Sequence, residues 1–420
     1  MSRVRILLWH GYLLGGTGSN VYTRQLAREW SRAGHDVTVL SQEPRPEAYE
    51  LGGAAVVRPD VDGFLPVFVL DHYEGYDVRR VQDCTREALD AWVEANAAAV
   101  RALLPADLVF ANHVLLGGPV GAATGARYAV KAHGSELEYS MRGNPELERW
   151  GRESLERAAA TFVGSEHIRT VLEDVCGTVE RVHEVPPGVD VELWVAEERG
   201  GALDALVREA RLDAPNLGNR DERQPDDGNA ARLETFLAGE APPTVVYFGK
   251  LMEQKGVDVL LDAFAGLHAR LVVVGFGPER GRLEGRAAAE GVNALFTGPL
   301  EHRHLRHLLA LADACVVPSV FPEAFGMVAA EAAAAGCPPV VARHSGLAEV
   351  AAGLEEALPS ELGSLLSFPT GDATALHQRL ATLLGLGAAD RSRLRATVRQ
   401  VVEERWSWGS VAERLLDAAL

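Results

Sequence analysis

The fold is decided by residues 4–40, which read VRILLWHGYLLGGTGSNVYTRQLAREWSRAGHDVTVL. Val4–Leu8 is a short apolar run of the kind that forms a buried strand, and a glycine-rich loop follows at Gly11–Gly18. Val21–Ala33 carries apolar side chains at helical spacing, and Val37–Leu40 predicts the next strand. Because a strand, a helix and a second strand in this order form a parallel pair, the stretch predicts an α/β fold with a parallel sheet.

The same alternation continues and then restarts, which predicts two α/β domains. The further apolar runs of strand type lie at 107–111, 129–132, 161–165, 181–185, 244–248, 270–274, 294–296, 314–317 and 339–342. Between the two groups, residues 197–241 are rich in Asp, Asn and Glu, and we interpret them as a solvated insertion with a short helix near Ala231–Leu237. A chain of 420 residues suits two domains of about 200 residues each.

The composition argues against several classes of protein. Apolar residues make up 47% and charged residues 24%, which is ordinary for a globular chain. The formal net charge is −18, and an acidic surface repels nucleic acid, so no nucleic acid partner is expected. The four cysteines are far apart and form no CxxC pair, which predicts reduced thiols and no structural zinc. Without a signal-peptide pattern or an apolar run of about 20 residues, we expect a cytoplasmic protein. Peripheral membrane contact and the oligomeric state stay open.

The strongest chemical signal is the run FPEAFGMVAAE at residues 321–331. A helix should begin near its glycine, so the N–H groups of Phe325–Met327 would face whatever lies before the helix, and a phosphate is favoured there. Glu331 would accept two ribose hydroxyls, as a carboxylate does in dinucleotide folds, and Glu323 could hold sugar hydroxyls. The alternative is a surface helix with two solvated glutamates.

A second signal is FGKLMEQKG at residues 248–256, where a strand ends and a loop with two lysines follows. Lys250 and Lys255 are two of the three lysines in the chain. A leaving nucleoside diphosphate gains negative charge as its bond to a sugar breaks, so fixed cations there stabilise the transition state. With no metal ligands in view, the lysines would do the work that a magnesium ion does elsewhere.

Two weaker signals lie in the first half. Gly15 and Gly16 follow the first strand, but Val21 stands where a dinucleotide fingerprint has its third glycine, so NAD is disfavoured and a loop over a pyrophosphate fits better. His133 and Asn112 come at the carboxyl ends of predicted strands, where α/β sheets place ligand groups. His133 could donate or accept a hydrogen bond with a sugar hydroxyl, although a lone histidine is often structural.

Taken together, these motifs resemble those of glycosyltransferase family 4. The resemblance is carried by the Glu323/Glu331 pair, the Gly249–Gly256 loop, Gly275-Phe-Gly277-Pro278, Gly15-Gly16, His133-Gly134, Pro186–Asp190, Ser345–Glu349 and Gly363–Asp372. It covers nearly the whole chain apart from residues 197–241. Two departures are Lys250, where the family usually has arginine, and Ser345-Gly346, where it usually has two glycines.

The resemblance implies a GT-B fold, in which two Rossmann-like parallel-sheet domains face each other across a cleft and a C-terminal helix crosses back to the N-terminal domain. The implied divisions are an acceptor-side domain at 1–188, an interdomain segment with the acidic insertion at 189–243, a nucleotide-sugar-binding domain at 244–404 and the crossing helix at 405–420.

The resemblance also implies a retaining hexosyl transfer from a nucleoside diphosphate sugar to a hydroxyl acceptor. Lys250 and Lys255 would hold the pyrophosphate, Glu331 the ribose and Glu323 the sugar, and His133 would touch the sugar. The other expected contacts with the sugar donor are Gly15, Gly16, Gly249, Gly275, Gly277, Gly298, Ala324, Phe325, Gly326 and Met327. The candidates for contact with a small-molecule or glycan acceptor are Asn112, Glu136, Tyr139 and Asp71–Tyr73.

No cofactor or metal ion is expected beyond the nucleotide sugar. A UDP-sugar is favoured only because uridine is the commonest base in such families. Two other functions stay open from the sequence. A nucleotide-sugar epimerase would convert its substrate with no acceptor, and a non-catalytic sensor would bind the nucleotide sugar without releasing nucleotide.

Overall fold

The structure is a computed structural model that describes residues 3–69, 73–195, 197–215, 224–239 and 242–420. The chain forms two compact units, one of residues 1–188 together with 408–420 and one of residues 189–407. The interdomain segment expected at 189–243 thus belongs to the second unit, and the last helix belongs to the first.

The first unit is built on a parallel sheet with the strand order β3-β2-β1-β6-β7-β8-β9 among its described residues. These strands are β1 (Arg5–Trp9), β2 (Asp36–Leu40), β3 (Ala55–Val57), β6 (Leu108–Asn112), β7 (Tyr128–Lys131), β8 (Ala160–Val163) and β9 (Val182–Glu184). A parallel pair of short strands, β4 (Phe64–Val67) and β5 (Asp77–Arg80), lies outside the sheet. The sequence analysis missed β3, β4 and β5. Each is only three or four residues long; β5 is charged and mostly exposed, β3 is partly exposed, and β4 contains Pro66, which argues against a strand.

Six helices cover this sheet within the described residues. They are α1 (Gly18–Arg32), α2 (Arg86–Arg101), α3 (Gly117–Thr124), α4 (Pro145–Glu156), α5 (Glu166–Cys176) and α16 (Trp408–Ala419). The C-terminal helix α16 packs on α1: Trp408 and Leu415 are buried with Leu26, and the Trp30 indole N–H donates to the Ala412 carbonyl at 2.9 Å. The predicted C-terminal helix is therefore confirmed, and its apolar stripe covers one face of the first sheet.

The second unit contains a parallel sheet with the order β12-β11-β10-β13-β14-β15 among the described residues. Its strands are β10 (Thr244–Phe248), β11 (Arg270–Val274), β12 (Ala294–Gly298), β13 (Ala314–Val317), β14 (Pro339–Ala342) and β15 (Ser367–Phe368). The central strands are buried on both faces, as near-continuous apolar runs require. The prediction of two Rossmann-like α/β domains is confirmed.

Helices of the second unit flank this sheet. They are α6 (Arg199–Ala210), α7 (Asn229–Leu237), α8 (Val257–Ala263), α9 (Arg280–Ala289), α10 (His302–Leu311), α11 (Met327–Ala334), α12 (Ser345–Glu355), α13 (Ser360–Gly363), α14 (Ala373–Leu384) and α15 (Ala388–Val401). A search of the described residues finds no helix that is both long and apolar enough to span a membrane.

The interpretation of residues 197–241 as a solvated insertion is wrong for most of their described part. Helix α6 packs on α10 and buries Leu206, and α7 buries Leu233 in the same core. Asp213, which looked like a solvated charge, is buried with its carboxylate paired to Arg303 and 3.2 Å from His304. The segment can be buried with few apolar residues because Arg303 offsets the charge of the buried Asp213 carboxylate.

Candidate functional site

Three glycine-containing loops meet at the carboxyl edge of the second sheet. The N–H of Gly275 donates to the Gly298 carbonyl oxygen at 2.8 Å. The N–H of Leu251, two residues after Gly249, donates to the Phe276 carbonyl oxygen at 2.7 Å. A Cβ on Gly275 would lie 1.8 Å from the Gly249 carbonyl oxygen, so only glycine lets these loops approach so closely. The structure thus brings together the predicted glycines that follow β10, β11 and β12. Gly277 is constrained in the same way by Leu251.

The lysine loop contacts the acidic run that follows β13. The Lys255 ammonium lies 2.5 Å from Oε1 of Glu323, with 34% and 22% of the two side chains exposed. Gly256 permits this approach, because its φ is 66° and a Cβ there would lie 2.0 Å from the Pro318 carbonyl oxygen. The predicted lysine and glutamate therefore form one partly exposed ion pair, and a polar ligand can reach both.

Helix α11 begins beside this pair, as predicted. Gly326 caps it with φ 106°, and the first N–H groups of the helix have no partner within it. Ala324 is exposed and Met327 half-buried, whereas Phe325 is buried with its ring edge-on to Trp406 at 5.6 Å. Ala324, Gly326 and Met327 thus lie at the amino end of a helix, where unpaired N–H groups favour an anion, whereas the Phe325 side chain serves the core.

Glu331 lies in the second turn of α11 in an apolar environment. Burial raises the pKa of its carboxyl to about 8, and within the described part of the chain the carboxylate accepts no hydrogen bond. Its neighbours on the helix are alanines. A carboxyl group in this state gains from any ligand that brings hydroxyl donors to it.

Lys250 is exposed on the same loop as Lys255. Its backbone carbonyl accepts a hydrogen bond from the Tyr247 hydroxyl at 2.8 Å, and Tyr247 is buried in β10. Burial, and then the nearby charge of Glu323, raises the pKa of Tyr247, so the phenol stays protonated and keeps this bond. The buried tyrosine therefore anchors the lysine loop from beneath.

In the first unit, a buried histidine cluster lies at the carboxyl ends of three neighbouring strands. His10 follows β1, His113 follows β6 and His133 follows β7, and the rings of His113 and His133 are 4.6 Å apart. The His113 ring lies 3.2 Å from the Glu136 carboxylate. The backbone φ of His113 is 72°, a strained value for a residue with a Cβ. Burial and then the charge of His113 lower the pKa of His133, so its imidazole is neutral near pH 7.

The residues predicted to contact the acceptor differ in how exposed they are. Glu136 is fully buried, and its Oε1 accepts from the His133 backbone N–H at 2.6 Å, so in this structure its carboxylate is engaged inside the first unit. Asn112 is also buried, with its amide oxygen 3.0 Å from Nε2 of the partly buried His133 ring, which it orients. Tyr139 is 65% exposed and Tyr73 half-buried.

The other predicted site residues of the first unit lie in loops. Asp71 and His72 lie outside the described residues. Gly15 and Gly16 precede α1: a Cβ on Gly15 would meet the Tyr49 hydroxyl at 2.4 Å, and Gly16, with φ 94°, faces open space. Sequence reasoning missed His10, although it follows β1 and could have been found by that position. In the described ranges, no group of three or more His, Cys, Asp or Glu residues is arranged to hold a metal ion.

Two family models match the chain in succession. The first, "Glycosyltransferase Family 4", matches residues 16–193, and the second, "Glycosyl transferases group 1", matches residues 234–401. The first range begins at Gly16, within the glycine loop before α1, and the second contains the Lys255–Glu323 pair.

Among similar proteins, the GDP-mannose-dependent alpha-(1-6)-phosphatidylinositol dimannoside mannosyltransferase of Mycobacterium tuberculosis is 40% identical over 126 residues, 29% of this chain and 32% of that protein. The chain thus matches about a third of that relative's length. A D-inositol 3-phosphate glycosyltransferase of Salinispora tropica is 27% identical over 95% of this chain and 80% of its own. The Anabaena HepE structure in complex with UDP has 15% identity, covers 98% of both chains and gives a TM-score of 0.67, which indicates the shared GT-B fold.

Proposed function

Because the chain belongs to glycosyltransferase family 4, we propose that it moves a hexosyl group from a nucleoside diphosphate sugar to a hydroxyl acceptor with retention at the anomeric carbon. The observation that carries the proposal is the Lys255–Glu323 pair at the amino end of α11. A cation, a carboxylate and a helix amino end at one place suit a sugar joined to a diphosphate.

Each group has a distinct task in this proposal. The bond between the anomeric carbon and the β-phosphate oxygen breaks, and its electron pair stays on the leaving diphosphate. Lys255, Lys250 and the first N–H groups of α11 stabilise that charge, which is greater in the transition state than in the ground state. Glu323 accepts hydrogen bonds from sugar hydroxyls. The acceptor hydroxyl bonds to the anomeric carbon and gives its proton to the leaving phosphate oxygen.

Glu331 is proposed to bind the ribose. Among the residues that the structure describes, its carboxyl group has no hydrogen-bond partner, so two ribose hydroxyls would supply the donors that its ionised form requires. We propose no metal ion, because the two lysines place positive charge at the leaving group. Turnover that is unchanged by EDTA would agree with this, and restoration of lost turnover by added Mg²⁺ would contradict it.

The nucleobase has two candidates. A uridine nucleotide is proposed on the frequency of UDP-sugars in such families, and GDP-mannose is favoured by the Mycobacterium tuberculosis relative, whose name states that dependence. Thermal shifts with UDP, GDP and ADP decide between them, because the ligand that binds the folded state raises its melting temperature by mass action.

The first unit is proposed to contribute His133 as a contact to a sugar hydroxyl and Tyr139 and Tyr73 to the acceptor. The Nε2–H of His133 donates to the Asn112 amide oxygen at 3.0 Å, so the neutral imidazole leaves Nδ1 to accept one hydrogen bond from a sugar hydroxyl. The relatives' names include inositol phosphate and phosphatidylinositol acceptors, so polyols with and without phosphate belong in the acceptor screen.

The test is turnover of UDP-glucose and GDP-mannose across that screen, with the Lys255→Ala and Glu323→Ala variants beside the wild type. Each variant should lose at least about 100-fold in turnover while keeping its melting temperature. Near-normal rates in both folded variants would refute the proposal. Epimerised nucleotide sugar formed without acceptor would favour an epimerase, and binding without release of nucleotide in any acceptor screen would favour a sensor.

A further inference from the structure

The backbone of Glu323 is held at both of its polar groups by the first residues of α12. Its N–H donates to the Ser345 hydroxyl oxygen at 2.8 Å, and its carbonyl accepts from the Gly346 N–H at 3.0 Å. Glu323 follows β13 and Ser345 follows β14, which are neighbours in the sheet. The acidic loop is therefore fastened to the end of the next strand.

The backbone at this contact shows that Ser345 stands at a position that would favour glycine. Ser345 has φ 45°, a left-handed conformation that any residue with a Cβ adopts at a cost. Glycine would fit there without strain, but it has no hydroxyl to receive the Glu323 N–H. Next to it, Gly346 has to be glycine, because a Cβ would lie 2.4 Å from the Phe325 Cα.

His344 fixes the direction of the Ser345 hydroxyl. Its Nε2 lies 2.7 Å from the Ser319 carbonyl oxygen, which can only accept, so Nε2 carries the proton. Nδ1 of the neutral ring is then an acceptor, and it lies 2.9 Å from the Ser345 oxygen. The Ser345 hydroxyl consequently donates to His344 and leaves a lone pair for the Glu323 N–H. Each polar atom in this series of hydrogen bonds, from Ser319 through His344 and Ser345 to Glu323, has its partner.

The chain of hydrogen bonds also reaches the lysine loop. The Ser319 hydroxyl lies 3.1 Å from the carbonyl oxygen of Gln254, and the Val320 N–H donates to the same oxygen at 2.9 Å. Gln254 precedes Lys255, whose ammonium meets Glu323. Both members of the ion pair thus depend on the segment that His344 and Ser345 anchor.

We propose that His344 and Ser345 are positioning residues that hold Glu323 in register with Lys255, an inference that rests on the sugar-binding role proposed for Glu323. Neither side chain touches the substrate. Their effect is to keep the Glu323 carboxylate where the sugar hydroxyls arrive, and small displacements of such a group are costly to the transition state.

Ser345→Gly separates this role from a structural one. The variant removes the hydroxyl and relieves the backbone strain, so its melting temperature should stay equal or rise while kcat falls about tenfold or more and KM changes little. The rate is measured as release of nucleoside diphosphate from UDP-glucose and from GDP-mannose. Arg181→Gly is the matched control, because Arg181 has φ 54° in the first unit, and kcat should be unchanged there.

A pair of His344 variants tests the direction of the hydrogen bonds. Asparagine places an acceptor near the Nδ1 position and so keeps a partner for the Ser345 hydroxyl, whereas glutamine places its donor near Nε2 and keeps only the Ser319 contact. His344→Asn should therefore retain more of the wild-type kcat than His344→Gln. Equal losses in the two variants would contradict the proposed chain.

The outcomes separate this inference from the proposed function. If Glu323→Ala keeps its turnover, the role of Glu323 itself is wrong. If Glu323→Ala loses turnover but Ser345→Gly does not, the positioning inference is overturned. A crystal structure of Ser345→Gly gives a second measure without substrate: the separation of Lys255 Nζ and Glu323 Oε1 should increase from 2.5 Å, and an unmoved Glu323 would refute the inference.

Discussion

The replacement Glu331→Gln should stabilise the free protein and weaken its binding of nucleotide. Burial raises the pKa of the Glu331 carboxyl from 4.5 to about 8, so the folded state holds a proton that the unfolded chain releases. A raised carboxyl pKa contributes stability that is complete below pH 4.5 and is lost as the pH rises toward 8. At about 1.4 kcal/mol per pKa unit, the loss by pH 7 amounts to at most about 3 kcal/mol. Glutamine does not titrate, so the variant should escape that loss.

The assay is urea unfolding followed by circular dichroism at pH 5, 6, 7 and 8. Wild type should lose unfolding free energy relative to Glu331→Gln as the pH rises, and the two should be similar near pH 5. Glu361→Gln, which changes an exposed glutamate of the same unit, is the control and should follow the wild type. Parallel pH profiles for wild type and Glu331→Gln would refute the reasoning, because they would mean that the carboxyl is not held protonated by the fold.

The same carboxyl group links nucleotide binding to proton release. If ribose hydroxyls donate to the ionised form, binding at pH 7 should release close to one proton, which calorimetry in buffers of different ionisation enthalpy measures. Glu331→Gln should release none and bind UDP or GDP about tenfold or more weakly, because bonds to a charged acceptor are lost. Proton release that persists in the variant would assign the titration to another group.

Three further outcomes follow from contacts in the second unit. Lys255→Ala and Glu323→Ala should be strongly non-additive in turnover, since each residue lies against the other, and a double variant whose loss equals the product of the single losses would contradict a shared task. Gly256→Ala should cost about 2 kcal/mol or more of unfolding free energy, because its Cβ would strike a backbone carbonyl at a φ of 66°; urea unfolding at pH 7 checks this. Asp213→Ala should cost about 1–2 kcal/mol of unfolding free energy, because it removes a buried carboxylate that pairs with Arg303 and contacts His304, while Arg303 keeps its other carboxylate partners; a change under about 0.5 kcal/mol would restore the interpretation of this segment as a solvated insertion.

The strands of the second sheet could be predicted almost to the residue. Residues 244–248, 270–274, 314–317 and 339–342 were expected as strands, and each forms one with those bounds. The reason is physical: a parallel strand covered on both faces needs an uninterrupted apolar run. Short edge strands lack that requirement, so β3 and β15 left no signal.

Helix α6 was missed because its buried face is small. The side chains it buries are Ala202, Leu206, Val207 and Ala210, and only two of them are strongly apolar. In a window dominated by Asp, Glu and Arg, that face does not separate from a solvated segment. Its stability comes from packing on α10, a contact between residues about 100 positions apart, and no local pattern records it.

The sequence could nominate two carboxylates but could not assign their electrostatic states. Glu323 and Glu331 lie in one eleven-residue run and are identical side chains. The fold places one against the Lys255 ammonium at 2.5 Å and the other among alanines, where its pKa rises to about 8. Glu323 is thus paired with a cation that sugar hydroxyls could replace. Glu331 is mainly protonated near pH 7, and hydrogen-bond donors from a ligand would favour its ionised form. Because both states depend on what β10, β13 and the helix bring near each carboxyl, they belong to the packed sheet and not to the motif. A motif can therefore nominate two carboxylates for nucleotide-sugar chemistry, but only their surroundings distinguish the group that meets the sugar from the group that couples binding to a proton.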